Sequence, residues 1–136
     1  MFARSSLRML SACCAFVALV ACTADPLDPL LPYGLVVTNN RNDFSLHATA
    51  VKGVMATTTY YWYNDGSKAI FTHSVESTGS GRIIMTVSDA DSSQVLRMGL
   101  QPMRTDTTRS GAYGYWKIVL DMQNYSGSIN ISARNR

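Results

Sequence analysis

Four adjacent aromatic residues, Tyr60-Tyr61-Trp62-Tyr63, form the densest chemical feature of this chain. Alternate side chains of a strand point to opposite faces, so Tyr60 and Trp62 are expected on one side and Tyr61 and Tyr63 on the other. Two readings follow. In one, Trp62 is a core residue and the outward tyrosines are cross-strand pairs. In the other, Tyr61 and Tyr63 form an exposed platform that stacks on sugar rings or on a partner protein. Tyr113, Tyr115 and Tyr125 would extend that platform if the fold gathers them. Tyr61, Tyr63, Tyr113 and Tyr115 are therefore candidate ligand contacts.

The segment from Gln101 to Ser110 carries Arg104 and Arg109 among Thr105, Thr107, Thr108 and Ser110. Residues 101–112 form the longest stretch without strand periodicity, and a break of that length is either a binding element or a plain surface loop. Arg104 and Arg109 join the candidate contacts on the first reading.

Catalytic chemistry has little to work with. His47 and His73 are the only histidines, with no HxH or HxxxH spacing for a zinc site. Glu76 is the only glutamate, so a paired-carboxylate glycosidase would have to rely on aspartates. No Gly-x-Ser-x-Gly elbow or glycine-rich phosphate loop is present. Asp89-Ala90-Asp91-Ser92-Ser93 alternates oxygen ligands as a calcium loop does. However, Gln94 and Leu100 stand where an EF-hand needs Gly and Glu, so a polar hairpin turn is expected. No catalytic set, metal or cofactor is assigned.

The elements that must position these residues are strands. From Gly34 onward, apolar and polar residues alternate in short runs broken by turn residues. The runs are Leu35–Thr38, Phe44–Ala50, Thr57–Tyr63, Lys68–Val75, Arg82–Ser88, Gln94–Leu100, Trp116–Met122 and Ile129–Ala133. Asn64-Asp65-Gly66 predicts a tight turn across which Lys68–Val75 pairs back, and Asn124-Tyr125-Ser126-Gly127 predicts another. This spacing predicts one all-β domain, an antiparallel β-sandwich over residues 34–136. The closing pattern, from Gly111-Ala112-Tyr113-Gly114-Tyr115-Trp116 to Gly127-Ser128-Ile129, resembles the terminal hairpin of bacterial secreted immunoglobulin-like and jelly-roll accessory modules. That resemblance speaks to architecture and not to activity.

The N-terminus predicts export. Met1–Met9 carries Arg4 and Arg8 and no acid, and Leu10–Ala21 is apolar except for Ser11. A basic start, a short apolar run and small residues make a signal peptide. The run is well short of the roughly 20 residues a spanning helix needs. Leu19-Val20-Ala21-Cys22 resembles the lipobox of bacterial lipoproteins. The resemblance implies that residues 1–21 are removed and that the Cys22 thiol and the new amine are acylated. An ordinary cut after Ala24 is the competing reading. Thr23, where an Asp would retain the protein at the inner membrane, implies the outer membrane. Residues 22–33, with Pro26, Pro29 and Pro32, then read as a tether, whose leucines predict that part of it docks on the domain or on the bilayer.

Composition bounds the rest. Cys13 and Cys14 fall in the signal and Cys22 is the anchor, so none of the 3 cysteines remains for a disulfide. Two of the 12 basic residues, Arg4 and Arg8, leave with the signal, against 9 acidic residues, so the mature chain is close to neutral. No electrostatic footprint for nucleic acid remains. The expected function is a non-catalytic binding or accessory lipoprotein contacting protein or glycan in the envelope. A structural envelope component without a discrete ligand is the alternative, and a small hydrolase ranks third.

Overall fold

The computed structural model describes residues 27–136, so the expected signal peptide and Cys22 lie outside the described residues. A single-turn 3₁₀ helix at Leu31–Tyr33 precedes seven strands: β1 (Val36–Asn40), β2 (Asp43–Asn64), β3 (Ala69–Ser77), β4 (Arg82–Ser88), β5 (Gln94–Gly99), β6 (Arg104–Thr107) and β7 (Gly114–Asn135). All pairings are antiparallel and belong to one sheet.

The sheet becomes a sandwich because β2 and β7, each 22 residues long, double over together. One half-sheet runs β1, the first arm of β2, the second arm of β7, β3, β6. The other runs from the second arm of β2 to the first arm of β7, β4 and β5. The fold line is written in the backbone: Ala50, Gly53, Asn124 and Gly127 all have positive φ, and the β2–β7 register slips between Ala48 and Ala56. At Gly127 a Cβ would lie 1.9 Å from the Glu76 carbonyl oxygen, so no other residue fits. The Ser126 hydroxyl accepts the Gly53 N–H at 2.8 Å and ties the two corners together.

Doubling over brings the arms of β2 face to face. The Asn42 N–H donates to the Tyr63 carbonyl at 3.0 Å, and Phe44 meets Tyr60 with ring centroids 5.9 Å apart. Between the half-sheets, Trp62 sits edge-on to Phe71 at 6.2 Å and to Trp116 at 6.1 Å, with Leu46, Ile83, Met85, Ile118, Leu120 and Ile129 around them. Burying aromatic and branched side chains of this size stabilises the fold by about 1.5–3 kcal/mol each, in a chain with no disulfide in its described residues.

Three sequence expectations need correction. Asn124–Gly127 is not a turn between two strands but the corner of one continuous strand, because Gly127 and Asn124 supply the bend while the ladder carries on. Lys68–Val75 does not pair back on β2. The Asn64–Gly66 link crosses from one half-sheet to the other, since Phe71 must reach Trp62 across the core, and β3 pairs with β7 and β6. Residues 101–112 are not one long loop: Arg104–Thr107 is an edge strand, and the Arg109 N–H donates to the Val95 carbonyl at 3.0 Å, stitching this segment to β5.

The second half of the expected tether is part of the domain. Leu30 is fully buried, and the Tyr33 hydroxyl donates to the Lys52 carbonyl at 3.3 Å, so this segment covers the open side along β2. Docking on the domain is thus the outcome for Leu30, while Leu27 and Leu31 face solvent.

Candidate functional site

The doubled-over ribbon places the β1–β2 turn, the β2–β3 link and the start of β7 at one end of the sandwich. Alternation on β2 buries Tyr60 and Trp62 and turns Tyr61 and Tyr63 outward. The register sets Tyr63 opposite Tyr115 and Tyr61 opposite Lys117, and the Tyr63 and Tyr115 rings meet edge-on at 5.1 Å. Tyr61 is 59% exposed, Tyr115 67%, and Tyr113, two residues upstream of Tyr115, 73%.

Arg41 completes the group and was not picked out from sequence. Its guanidinium lies 4.9 Å from the Tyr63 ring centroid and grips Asp65 at 2.7 and 2.8 Å. Asn42 also donates to Asp65 at 3.0 Å. The Arg41 fork, followed by Asn42, holds the Asp65 carboxyl below the usual carboxylate range, and the hydrogen bond to Asp65 raises the guanidinium in turn. A turn residue 22 positions before Tyr63 in sequence gives no local signal of this contact; only the doubling of β2 creates it.

Behind the tyrosines, Asp89 fixes the loop that leads into Tyr113. Its carboxylate accepts the N–H groups of Ala112 at 2.8 Å, Ser93 at 2.8 Å and Asp91 at 3.0 Å. The Ala112 bond chiefly, with the other two, lowers its pKa. The Ala112 carbonyl in turn accepts the indole N–H of Trp116 at 2.8 Å. The Asp89–Ser93 segment is therefore a hairpin turn whose first carboxylate is engaged with backbone. Among the described residues, no three His, Cys, Asp or Glu side chains group to hold a metal ion.

The arginines lie elsewhere. Arg104 is on the edge strand β6 in an ion pair with Asp106 at 2.7 Å. Arg109 sits at the β5–β6 seam and shares a shallow concavity of about 260 Å³ with Arg97 and Thr107. In the β2–β7–β4–β5 half-sheet the tyrosines stand on the β2 and β7 side, whereas this seam lies beyond β5. The structure brings Tyr61, Tyr63, Tyr113 and Tyr115 to one end and leaves Arg104 and Arg109 apart from them. The histidines also diverge. His47 points outward, its Nδ1 hydrogen-bonded to Asn130 Oδ1, while His73 points into the core and its Nε2 accepts the Gln101 N–H at 3.1 Å.

A second surface was missed from sequence. On the outer face of the β1–β2–β7–β3–β6 half-sheet, Thr38, Ser45, Ser132, Thr72 and Thr105 are successive register partners, one hydroxyl residue per strand. They line a concavity of about 550 Å³, adjoined by one of about 290 Å³ at His47, Asn130 and Ser74. The sequence signal was present as outward Ser and Thr at alternating positions, but the row exists only once strand order is known.

No family model matches the chain, and no curated protein matches it. Among solved structures it is similar to a chain of accessory secretory protein 1,2 and 3 from Streptococcus pneumoniae, at 10% identity and a TM-score of 0.39, covering 80% of this chain and 90% of that one. It is also similar to a glycoside hydrolase family 43 arabinoxylan arabinofuranohydrolase from Bacillus subtilis, solved in complex with cellotetraose. There the identity is 17% and the TM-score 0.33, covering 75% of this chain and 21% of that one. Neither likeness bears on what this chain does.

Proposed function

We propose that the chain is a lipid-anchored envelope lipoprotein, held in the outer membrane through Cys22, whose sandwich is a non-catalytic glycan-binding module. The observation that carries the binding role is the tyrosine end: Tyr61, Tyr113 and Tyr115 are each more than half exposed around the Tyr63–Arg41–Asp65 group. A pyranose presents an apolar C–H face edged by hydroxyls. Tyrosine rings match the face, and Arg41, Asp65 and Lys117 supply donors and acceptors for the edge. A sugar sits here by stacking and hydrogen bonding, with no bond made or broken.

The anchor rests on the Leu19-Val20-Ala21-Cys22 resemblance. Two or three acyl chains at ~0.8 kcal/mol per buried CH₂ would make attachment lasting, whereas one chain binds reversibly. Among the described residues no helix is long and apolar enough to cross a membrane.

The test has two arms. Metabolic labelling with a fatty-acid analogue should mark the wild-type protein and not Cys22→Ser; labelling of both rejects the anchor. The mature protein in nanodiscs, probed on a glycan array, should retain a restricted set of sugars. A blank array combined with capture of an envelope protein would move the tyrosine end to a protein partner, and a blank in both would favour a purely structural role.

A further inference from the structure

We infer that the hydroxyl-lined concavity on the opposite half-sheet is a second binding site, and that its ligand is a neutral, linear glycan laid across the strands. It uses no residue of the tyrosine end and shares with that reading only the ligand class.

Thr38 pairs with Ser45, Ser45 with Ser132, Ser132 with Thr72, and Thr72 with Thr105, so one row crosses five strands without interruption. Neighbouring strands lie ~4.8 Å apart, which makes the row about 19 Å long. Its step is close to the repeat of a sugar ring in an extended chain, so each strand can present one hydroxyl to successive rings. A ligand running along a strand would meet alternating chemistry instead; one running across meets the same chemistry at every step.

Side-chain size explains why the surface is hollow. Solvent faces of sheets usually carry long charged side chains, whereas here the central row is Ser and Thr, with Asp43, Ile70 and Arg134 lining one side of the concavity, and sheet twist lifts the edges. The hydroxyls are already partly aligned: Thr72 and Thr105 are hydrogen-bonded at 3.0 Å, and the Ser132 hydroxyl donates to the Thr72 carbonyl at 3.5 Å. Each hydroxyl both donates and accepts, which suits a polyhydroxylated ligand.

Charge narrows the ligand. The row holds no ionisable group, and the flanking row of Asn40, Asp43, Arg134, Ile70 and Thr107 contains one acid and one base in register. The other flank carries the His47–Asn130 pair. A polyanion would find a single cation here facing an equal negative charge, so the complementarity is to an uncharged chain.

The experiment is a backbone-amide NMR titration of the full mature protein with neutral linear gluco-, manno- and xylo-oligosaccharides. The site predicts saturable shifts at Ser45, Thr72, Thr105 and Ser132. The variant Thr38→Val/Ser45→Ala/Thr72→Val/Thr105→Val/Ser132→Ala should bind at least tenfold more weakly with its melting temperature retained. Because five changes in one half-sheet can disturb folding, Ser132→Gln, which fills the floor at its centre, serves as the second variant and should also lose binding. Tyr61→Ala/Tyr115→Ala should leave these shifts intact. Shifts confined to the tyrosine end, unchanged affinity in a folded groove variant, or no shift with any neutral oligosaccharide would each overturn the inference. Groove shifts without any at the tyrosine end would support it while rejecting the tyrosine reading.

Discussion

The carboxylate of Asp28 accepts a 2.6 Å hydrogen bond from the phenol of Tyr60, although the two stand 32 residues apart and both are buried. The same carboxylate accepts from the Thr58 hydroxyl at 3.2 Å and from the Leu30 N–H at 2.9 Å. Among the described residues no ion pair reaches this acid, and hydrogen bonds replace its water. The contact draws Asp28, which precedes the first strand, into the packed interior of the domain.

Removing that fastening is costly. Asp28→Ala leaves Tyr60 and Thr58 without their acceptor and should destabilise the protein by about 3 kcal/mol, since each hydrogen bond to a charged group is worth ~1.5–3 kcal/mol net. Urea denaturation reads the loss as a lower midpoint with a similar slope. Tyr60→Phe, which keeps Thr58 and Leu30 as donors to Asp28, should cost about half as much.

Tyr60 also sets the alkaline limit. Burial first, then the bond to Asp28, raises its pKa well above the ordinary tyrosine value of 10.0; burial, with Glu76 second, raises Tyr125 as well. Both groups stay protonated in the folded state after the unfolded chain has begun to ionise. Their contribution is fully present below pH 10.0 and declines as pH rises beyond it. Stability against pH should therefore fall on the alkaline side, and Tyr60→Phe should flatten that limb.

His73 acts on the acid side. Burial, the largest influence, lowers its pKa from 6.5. The unfolded chain takes up this proton first, so the stabilising contribution is present above pH 6.5 and is lost as pH falls below it. His73→Leu should remove part of that slope. A slope insensitive to His73 would contradict the assignment.

Alternation made the all-β class and the strand cores legible, because Phe44, Leu46, Trp62, Ile83, Met85, Ile118 and Leu120 sit on one face of each run. The doubling of β2 and β7 was not legible. A corner made by Ala50, Gly53, Asn124 and Gly127 has the same residue types as a hairpin turn, and nothing local says that the ladder continues past it. The tyrosine end was half legible: Tyr61 and Tyr63 follow from the strand period, but Arg41 reaches Tyr63 only after the ribbon folds over. The hydroxyl row was hidden for the same reason, since strand order is a property of the whole chain.

The corners can be tested directly. Gly127→Ala should abolish folding or lower stability by several kcal/mol, because its Cβ would overlap the Glu76 carbonyl. Gly53→Ala meets only Asn124 Oδ1 at 3.4 Å and adds the left-handed backbone penalty, so about 1–2 kcal/mol is expected. Equal effects in urea denaturation would show that the bend is not made at Gly127.

Binding by the tyrosine end is the central claim, and calorimetric titration of one sugar that the array retains and that shifts no amide of the hydroxyl row measures it most directly. Wild type should bind saturably, and Tyr61→Ala/Tyr115→Ala should bind at least tenfold more weakly, a loss of about 1.4 kcal/mol or more, with melting temperature unchanged. Arg41→Ala should weaken binding less and leave stability intact, since the Arg41–Asp65 pair is exposed. Undiminished affinity in the folded double-tyrosine variant would contradict the account.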